Sequence, residues 1–90
     1  MSAYVFSSPT CAPCQTLKPV IEDLKEEFPS LQWIHVNIKN DPEGYTQRYG
    51  VKIVPTVVAV SAKGVESHSG TVAMGYYRIL RNATQSEESP

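Results

Sequence analysis

The sequence predicts a mixed α/β domain with the element order strand, helix, strand, helix, strand, strand, helix. Ninety residues suffice for one domain but not for two, and 41% hydrophobic with 19% charged residues is typical of a globular protein. Strand-favouring runs alternate with helical periodicity in the first half, and two strand runs meet at a hairpin turn in the second. A strand-helix-strand start requires parallel strands, whereas a hairpin adds an antiparallel edge. We therefore expect a mixed four-stranded sheet flanked by helices.

The first strand is expected over residues 3–6, ahead of a cluster of turn-forming residues at positions 7–9. The next segment carries apolar residues at helical spacing, which indicates an amphipathic helix. Thr10 is a suitable N-cap for this helix, and Pro29 marks its end. The predicted apolar face consists of Leu17, Val20, Ile21, Leu24 and Phe28.

The middle of the chain predicts a second strand followed by a short helix. Residues 33–38 combine aromatic and β-branched side chains, as strands do. Asp41 then offers an N-cap, and Pro42 fits the first helical position. Gly50 can supply the left-handed residue that ends this helix. The following run, residues 51–60, is strongly β-prone and predicts the third strand.

The last third of the chain predicts a hairpin and a final helix. Residues 61–64 form the turn into a fourth strand over residues 65–69, and Thr71 can cap the last helix. Residues 84–90 are polar enough to form a loose tail, so we place the domain at residues 1–83. The apolar face of the last helix consists of Tyr76, Ile79, Leu80 and Ala83.

Charge and hydropathy restrict the classes of partner. Eight basic residues against nine acidic ones give a net charge of -1, and the basic residues form no stripe. We therefore expect no nucleic-acid partner. No apolar run approaches the length of a membrane-spanning helix, so we expect no membrane partner either. Residues 1–4 carry neither a basic segment nor a long apolar region, so we expect no secretory signal and a cytoplasmic location.

The two cysteines, Cys11 and Cys14, stand where the first strand gives way to the first helix. A thiol attacks a disulfide only as the thiolate, and a helix N-terminus favours negative charge, so the pKa of the Cys11 thiol should fall. Cys14 lies one turn further on and is placed to attack a mixed disulfide formed at Cys11. Neither of the two intervening residues, Ala12 and Pro13, is a flexible glycine. This spacing predicts a two-electron thiol-disulfide switch.

Two other uses of a C-x-x-C pair remain open. Half of a zinc site has the same spacing, but no second C-x-x-C and no H-x₃₋₅-H follows, and His35 and His68 lie far apart in the chain. The cysteines could also be a buried structural pair. The strand-helix setting favours redox use, and we expect no metal.

Several residues and short motifs recur together in one known family. They are Phe6, Cys11-Ala12-Pro13-Cys14, Pro19, Asn37, Tyr49-Gly50, Val54-Pro55-Thr56, Gly64 and Gly70. With them, residues 3–83 resemble the thioredoxin family, in a trimmed, glutaredoxin-sized form without the extra N-terminal strand and helix.

The resemblance implies the thioredoxin fold, with the strands in the spatial order second, first, third, fourth. It further implies that Cys11 is the nucleophile, that Cys14 is the resolving thiol, and that a cis peptide bond before Pro55 faces the cysteines. Such a bond would leave the backbone groups of Val54 free to hydrogen-bond an extended substrate. The alternative is a trans proline that opens an edge strand.

The sequence departs from the thioredoxin pattern around the cysteines. Thr10 replaces the aromatic residue that usually precedes the first cysteine, which alters the apolar rim of the groove. The residues expected to contact substrate are Thr10, Ala12, Pro13, Val54 and Pro55.

A second departure removes the usual buried proton acceptor. Val5 stands where thioredoxins bury an acid, and His35 stands in place of the lysine that faces it. His35 is a candidate acceptor for the proton that Cys14 loses, although a half-buried strand histidine is more often merely hydrogen-bonded.

The sequence thus predicts an enzyme, a protein-disulfide reductase without metal or organic cofactor. Its partners would be disulfide-containing client proteins and an electron donor that is either thioredoxin-reductase-like or glutathione-based, and we expect a monomer. Two alternatives remain. Glutaredoxin-like exchange with glutathione is disfavoured because residues 70–72 lack the Gly-Gly-acid motif. A non-catalytic binding module on the same scaffold is the other.

Overall fold

The computed structural model describes residues 1–88, with side chains through Thr84. The elements are β1 (Ser2–Ser7), α1 (Ala12–Glu27), β2 (Gln32–Asn37), α2 (Tyr45–Arg48), β3 (Thr56–Ser61), β4 (Gly64–Ser69) and α3 (Ala73–Glu88). This order confirms the predicted one. None of the helices within residues 1–88 has the length and apolar character needed to span a bilayer.

The four strands form one mixed sheet in the order β2-β1-β3-β4. Strand β1 pairs in parallel with β2 and antiparallel with β3, and β3 pairs antiparallel with β4. The thioredoxin-type sheet is therefore confirmed. The register places Val5 beside His35 and Phe6 beside Thr56. Because Pro55 directly precedes Thr56, the loop before β3 lies at the same end of the sheet as the junction between β1 and α1.

The alternation of side chains along the strands divides the core into two layers. On one face, Ala3 and Val5 pack with α1 and α3, and the predicted apolar faces of both helices lie in this layer. Its fully or largely buried helical members are Leu17, Ile21, Leu24, Tyr76, Ile79, Leu80 and Ala83. On the other face, Phe6 packs with Val36 and Val58. Helix α2 packs over this face of the sheet.

The predicted N-cap of α1 is wrong by one residue. The cap is Cys11, with extended backbone angles of φ -94° and ψ 103°, and Thr10 lies in the turn before it. The reason is that the Cys11 sulfur accepts a hydrogen bond from the Cys14 amide, which satisfies a free donor of the first turn. The helix therefore begins within the C-x-x-C motif.

The predicted start of α2 at Asp41 and Pro42 is also wrong. A tight turn, closed by the bond from the Gly44 amide to the Asp41 carbonyl, delays the helix to Tyr45, and Gly44 caps it with φ 73°. Asp41 still acts as a local acceptor, because its carboxylate binds the amide and the hydroxyl of Thr46, both at 2.7 Å. These bonds hold the pKa of the Asp41 carboxyl below its usual value.

Strand β3 is shorter than the β-prone run suggests. Only Thr56–Ser61 is strand, and residues 51–55 form a loop. Pro55 cannot donate to a ladder, and the Thr56 hydroxyl donates to the Ile53 carbonyl at 2.6 Å, which turns the chain before the strand.

Helix α3 begins later and ends later than predicted. It starts at Ala73, so Thr71 stands outside it, and it continues to Glu88 through most of the segment expected to be a loose tail. The expectation of a loose tail is wrong up to Glu88, because no glycine or proline interrupts this stretch and the Thr84 hydroxyl bonds to the Leu80 carbonyl. Residues 89–90 lie outside the described chain. A domain boundary at residue 83 stays a prediction.

Candidate active site

The two cysteines form a disulfide at the N-terminus of α1, with their Cα atoms 5.2 Å apart. A turn closed by the Cys11 amide on the Ser8 carbonyl carries the chain from β1 to the helix. The Cys14 amide donates to the Cys11 sulfur at 3.1 Å. The helix start thus presents a backbone donor and its dipole to one of the two sulfurs, which favours negative charge on Cys11.

The two cysteines differ in exposure. Only 9% of Cys11 is accessible, whereas Cys14 is half-buried. The cause is the capping geometry, which folds the Cys11 side chain back over the first turn. What distinguishes Cys11 is therefore its position at the helix N-terminus rather than its exposure.

The other residues predicted to contact substrate lie next to the cysteines in the chain or in the loop before β3. Thr10, Ala12 and Pro13 are exposed. The peptide bond between Val54 and Pro55 is cis, as the resemblance implied. Val54 is half-buried, and Pro55 is buried.

The loop before β3 is fastened to the end of β4. The Pro55 carbonyl accepts a hydrogen bond from the Gly70 amide at 3.1 Å, and the Thr56 and Ser69 hydroxyls lie 2.8 Å apart. Within the described chain, neither the amide nor the carbonyl of Val54 makes a hydrogen bond. These two groups are available for a ligand.

A cavity of about 260 Å³ connects Cys14 with His35. It lies between α1 and the β1-β2 pair, and Val5, Lys18 and Glu22 also line it. The His35 residue is also exposed to solvent.

The surroundings of His35 favour its neutral form. Desolvation in the cavity lowers the pKa of the imidazole below its ordinary value of 6.5, and Lys25 and Lys18 lower it further, while Glu22 acts in the opposite direction. A neutral imidazole is able to accept a proton.

Among the side chains that the structure describes, those through Thr84, no group of three or more His, Cys, Asp or Glu could hold a metal ion. Cys11 and Cys14 are bonded to each other, and His35 and His68 lie on different strands.

Comparison with known proteins agrees with the fold and the cysteine motif. The family model described as Thioredoxin matches residues 4–77. The chain belongs to the thioredoxin family.

Among curated thioredoxins, the putative thioredoxin H10 of Arabidopsis thaliana is 36% identical over 53 residues, which cover 59% of this chain and 34% of that protein. The thioredoxin of Methanocaldococcus jannaschii is 33% identical over 55 residues, 60% of this chain and 64% of the relative. The chain therefore spans less than two thirds of the length of the curated relatives it matches.

Solved structures show the same architecture. The thioredoxin of Trypanosoma brucei brucei superposes with a TM-score of 0.79 at 25% identity, over 93% of this chain and 74% of that one. The Fasciola hepatica thioredoxin gives a TM-score of 0.78 at 24% identity, over 90% and 78%. The second likeness establishes the thioredoxin fold alone.

Sequence reasoning missed the residues that hold the Pro55 loop. It includes Thr56 only in a strand run and in the Val54-Pro55-Thr56 motif, Ser69 only as a strand residue, and Tyr76 only as a core side chain. One signal was present: a tyrosine on an apolar helix face must find a partner for its buried hydroxyl. Which partner it finds depends on the fold.

Proposed function

We propose that this protein is a thiol-disulfide oxidoreductase that reduces disulfides in client proteins. The observation that carries the proposal is the Cys11-Cys14 pair at the start of α1, with the Cys14 amide directed at the Cys11 sulfur. Such an arrangement stabilises a thiolate without any cofactor. Membership of the thioredoxin family and the curated relatives support the same activity.

The proposed reaction has two steps that balance in atoms and electrons. The Cys11 thiolate attacks one sulfur of the client disulfide, forms a mixed disulfide and releases the first client thiolate. Cys14 then loses its proton and attacks the Cys11 sulfur, which releases the second client thiolate. The client gains two electrons, and the protein is left as the Cys11-Cys14 disulfide. A thioredoxin-reductase-like or glutathione-based donor would return it to the dithiol.

Client docking is assigned to the groove beside the disulfide. The free backbone groups of Val54 can pair with an extended client segment, while Thr10, Ala12 and Pro13 contact it from the helix side. All of these groups belong to one chain, which supports a monomeric catalyst. A dithiol that must be kept reduced suits the cytoplasm, where thiol pools are reducing.

Catalysed reduction of insulin disulfides tests the proposed function. With dithiothreitol as the electron source, the wild type should accelerate insulin reduction, because its dithiol is regenerated after each turnover. The matched control is the double variant Cys11→Ser/Cys14→Ser, which keeps the fold and lacks both thiols. Equal rates for the two proteins would refute the oxidoreductase and favour the binding module.

We further propose that His35 accepts the proton of Cys14 during resolution. Its imidazole shares the cavity with Cys14, and its lowered pKa keeps it neutral at pH 7. General-base assistance is worth about 10²- to 10⁴-fold, so His35→Gln should slow resolution at least about tenfold and leave first attack by Cys11 nearly intact.

The pH dependence of resolution has a definite sign. A group with a lowered pKa becomes an acceptor at lower pH, so the wild-type rate should rise over a range below pH 6.5 and level off above it. In stopped-flow measurements that resolve the two steps, this rise should be missing from His35→Gln. A variant that resolves at the wild-type rate would leave water as the acceptor.

A further inference from the structure

The loop that carries Val54 and Pro55 is supported from α3 by Tyr76, a residue outside the motifs that carry the family resemblance. The Tyr76 hydroxyl on α3 donates to the Gly70 carbonyl and lies 3.4 Å from the Pro55 carbonyl oxygen. The Gly70 amide in turn donates to the same Pro55 carbonyl. The Tyr76 hydroxyl therefore contacts two backbone segments, one at Pro55 and one at Gly70.

The position of this phenol is fixed on all sides. Tyr76 has no accessible surface, and it belongs to the core layer between the sheet and the helices. The His68 ring packs edge-on against it, with the ring centroids 4.7 Å apart. Burial raises the pKa of the Tyr76 hydroxyl to about 12, so it remains a donor at neutral pH.

Two backbone carbonyl oxygens near Pro55 share a single hydroxyl donor. The Tyr76 hydroxyl has one proton, and two carbonyl oxygens are within its reach, those of Gly70 and Pro55. Neither carbonyl lies within a regular strand or helix pairing at this point. Loss of the hydroxyl would leave the Gly70 carbonyl without this partner and loosen its contact with the Pro55 loop.

We propose that Tyr76 is a positioning residue for client docking: its hydroxyl ties Gly70 to Pro55 and so holds the Val54 backbone at the spacing an extended client segment requires. This inference rests on the proposed function. It concerns affinity for protein disulfides, not the chemistry of the cysteines, because Tyr76 contacts the docking loop from behind and belongs to neither the disulfide nor the His35 cavity.

The test compares Tyr76→Phe with Tyr77→Phe. Both changes remove one hydroxyl from α3, but Tyr77 is half-buried, and its ring contact is with Phe28 rather than with the Pro55 loop. Initial rates are measured with insulin, whose reduction needs backbone docking, and with the small aromatic disulfide dithiobis(nitrobenzoate), which needs none. Amide hydrogen exchange of Gly70 is followed in the oxidised proteins.

Tyr76→Phe should raise the KM for insulin about fivefold, the effect of one net hydrogen bond, with kcat and the rate on the small disulfide within twofold of wild type. It should also accelerate exchange of the Gly70 amide, and Tyr77→Phe should change none of these values. An unchanged KM, or an equal loss on both disulfides, would overturn the proposal. If the wild type does not reduce insulin at all, the proposed function has failed. Unchanged exchange of the Gly70 amide in Tyr76→Phe would show separately that Tyr76 does not hold the loop.

Discussion

Cys14→Ser is expected to turn the catalyst into a trap. The Cys11 thiolate of this variant can still attack a client disulfide, because the Cys14 amide and the helix N-terminus that stabilise it belong to the backbone. The mixed disulfide then has no internal thiol to resolve it. Turnover should fall at least about 10³-fold, as it does when an essential group of a covalent catalyst is removed.

Non-reducing electrophoresis of the reduced variant mixed with insulin measures this trap as a new band that dithiothreitol abolishes. Cys11→Ser is the matched control and should give no such band, since Cys14 lies one turn inside the helix without the capping position. A stronger adduct with Cys11→Ser than with Cys14→Ser would reverse the assigned roles of the two cysteines.

Gly75→Ala is expected to destabilise the fold, although alanine ordinarily improves a helix interior. Gly75 is the third residue of α3, and in the middle of a helix this exchange alone would stabilise by about 0.5–1 kcal/mol. A Cβ atom here would come closer than 3.0 Å to three atoms of the His68 ring. Overpacking of this kind costs about 1–3 kcal/mol, so the clash outweighs the helix propensity. Urea denaturation should show a lower midpoint with an unchanged slope.

The decisive control removes the ring instead of the glycine. In a His68→Ala background the clash is gone, and Gly75→Ala should then stabilise the protein by the ordinary helical amount. The double-mutant cycle should give a coupling energy of roughly 1–3 kcal/mol between the two positions. Additive effects would mean that the ring moves aside without cost. The edge-on contact with the Tyr76 ring holds His68 in place, whereas its buried Nε2 atom makes no hydrogen bond within the described chain.

The features that the sequence predicted well are those carried by neighbouring residues. The C-x-x-C motif follows a strand run directly, so its place at a strand-helix junction could be inferred without tertiary contacts. The same holds for the apolar faces of α1 and α3, whose periodicity matches the buried residues of the larger core layer. Local pattern and fold agree there.

The errors arose where a local rule met a competing local contact. Asp41 and Pro42 satisfy every rule for a helix start, yet a turn ending at Gly44 comes first and postpones the helix. Thr10 is a better cap by residue type than Cys11, but rankings of capping residues do not include a sulfur that accepts from the first turn. Both errors shift a boundary and leave the topology intact.

The support of the docking loop lay beyond prediction for a different reason. Tyr76 and Pro55 are 21 residues apart, and their contact exists only after β3, β4 and α3 have packed. Periodicity could place Tyr76 in the core, but it could not name the two carbonyls that its hydroxyl meets.

The sulfur cap of α1 couples the redox state to the folding equilibrium. In the disulfide form, the Cys14 amide meets a neutral sulfur, which is a weak acceptor. After reduction, the same amide meets a thiolate, and the cap becomes a charge-assisted one at the positive end of a helix. Unfolding would remove this stabilisation from the reduced chain but not from the oxidised one. The folded and unfolded chains, each oxidised or reduced, form a thermodynamic cycle. The free energy by which folding stabilises the thiolate cap therefore favours reduction of the folded protein by the same amount.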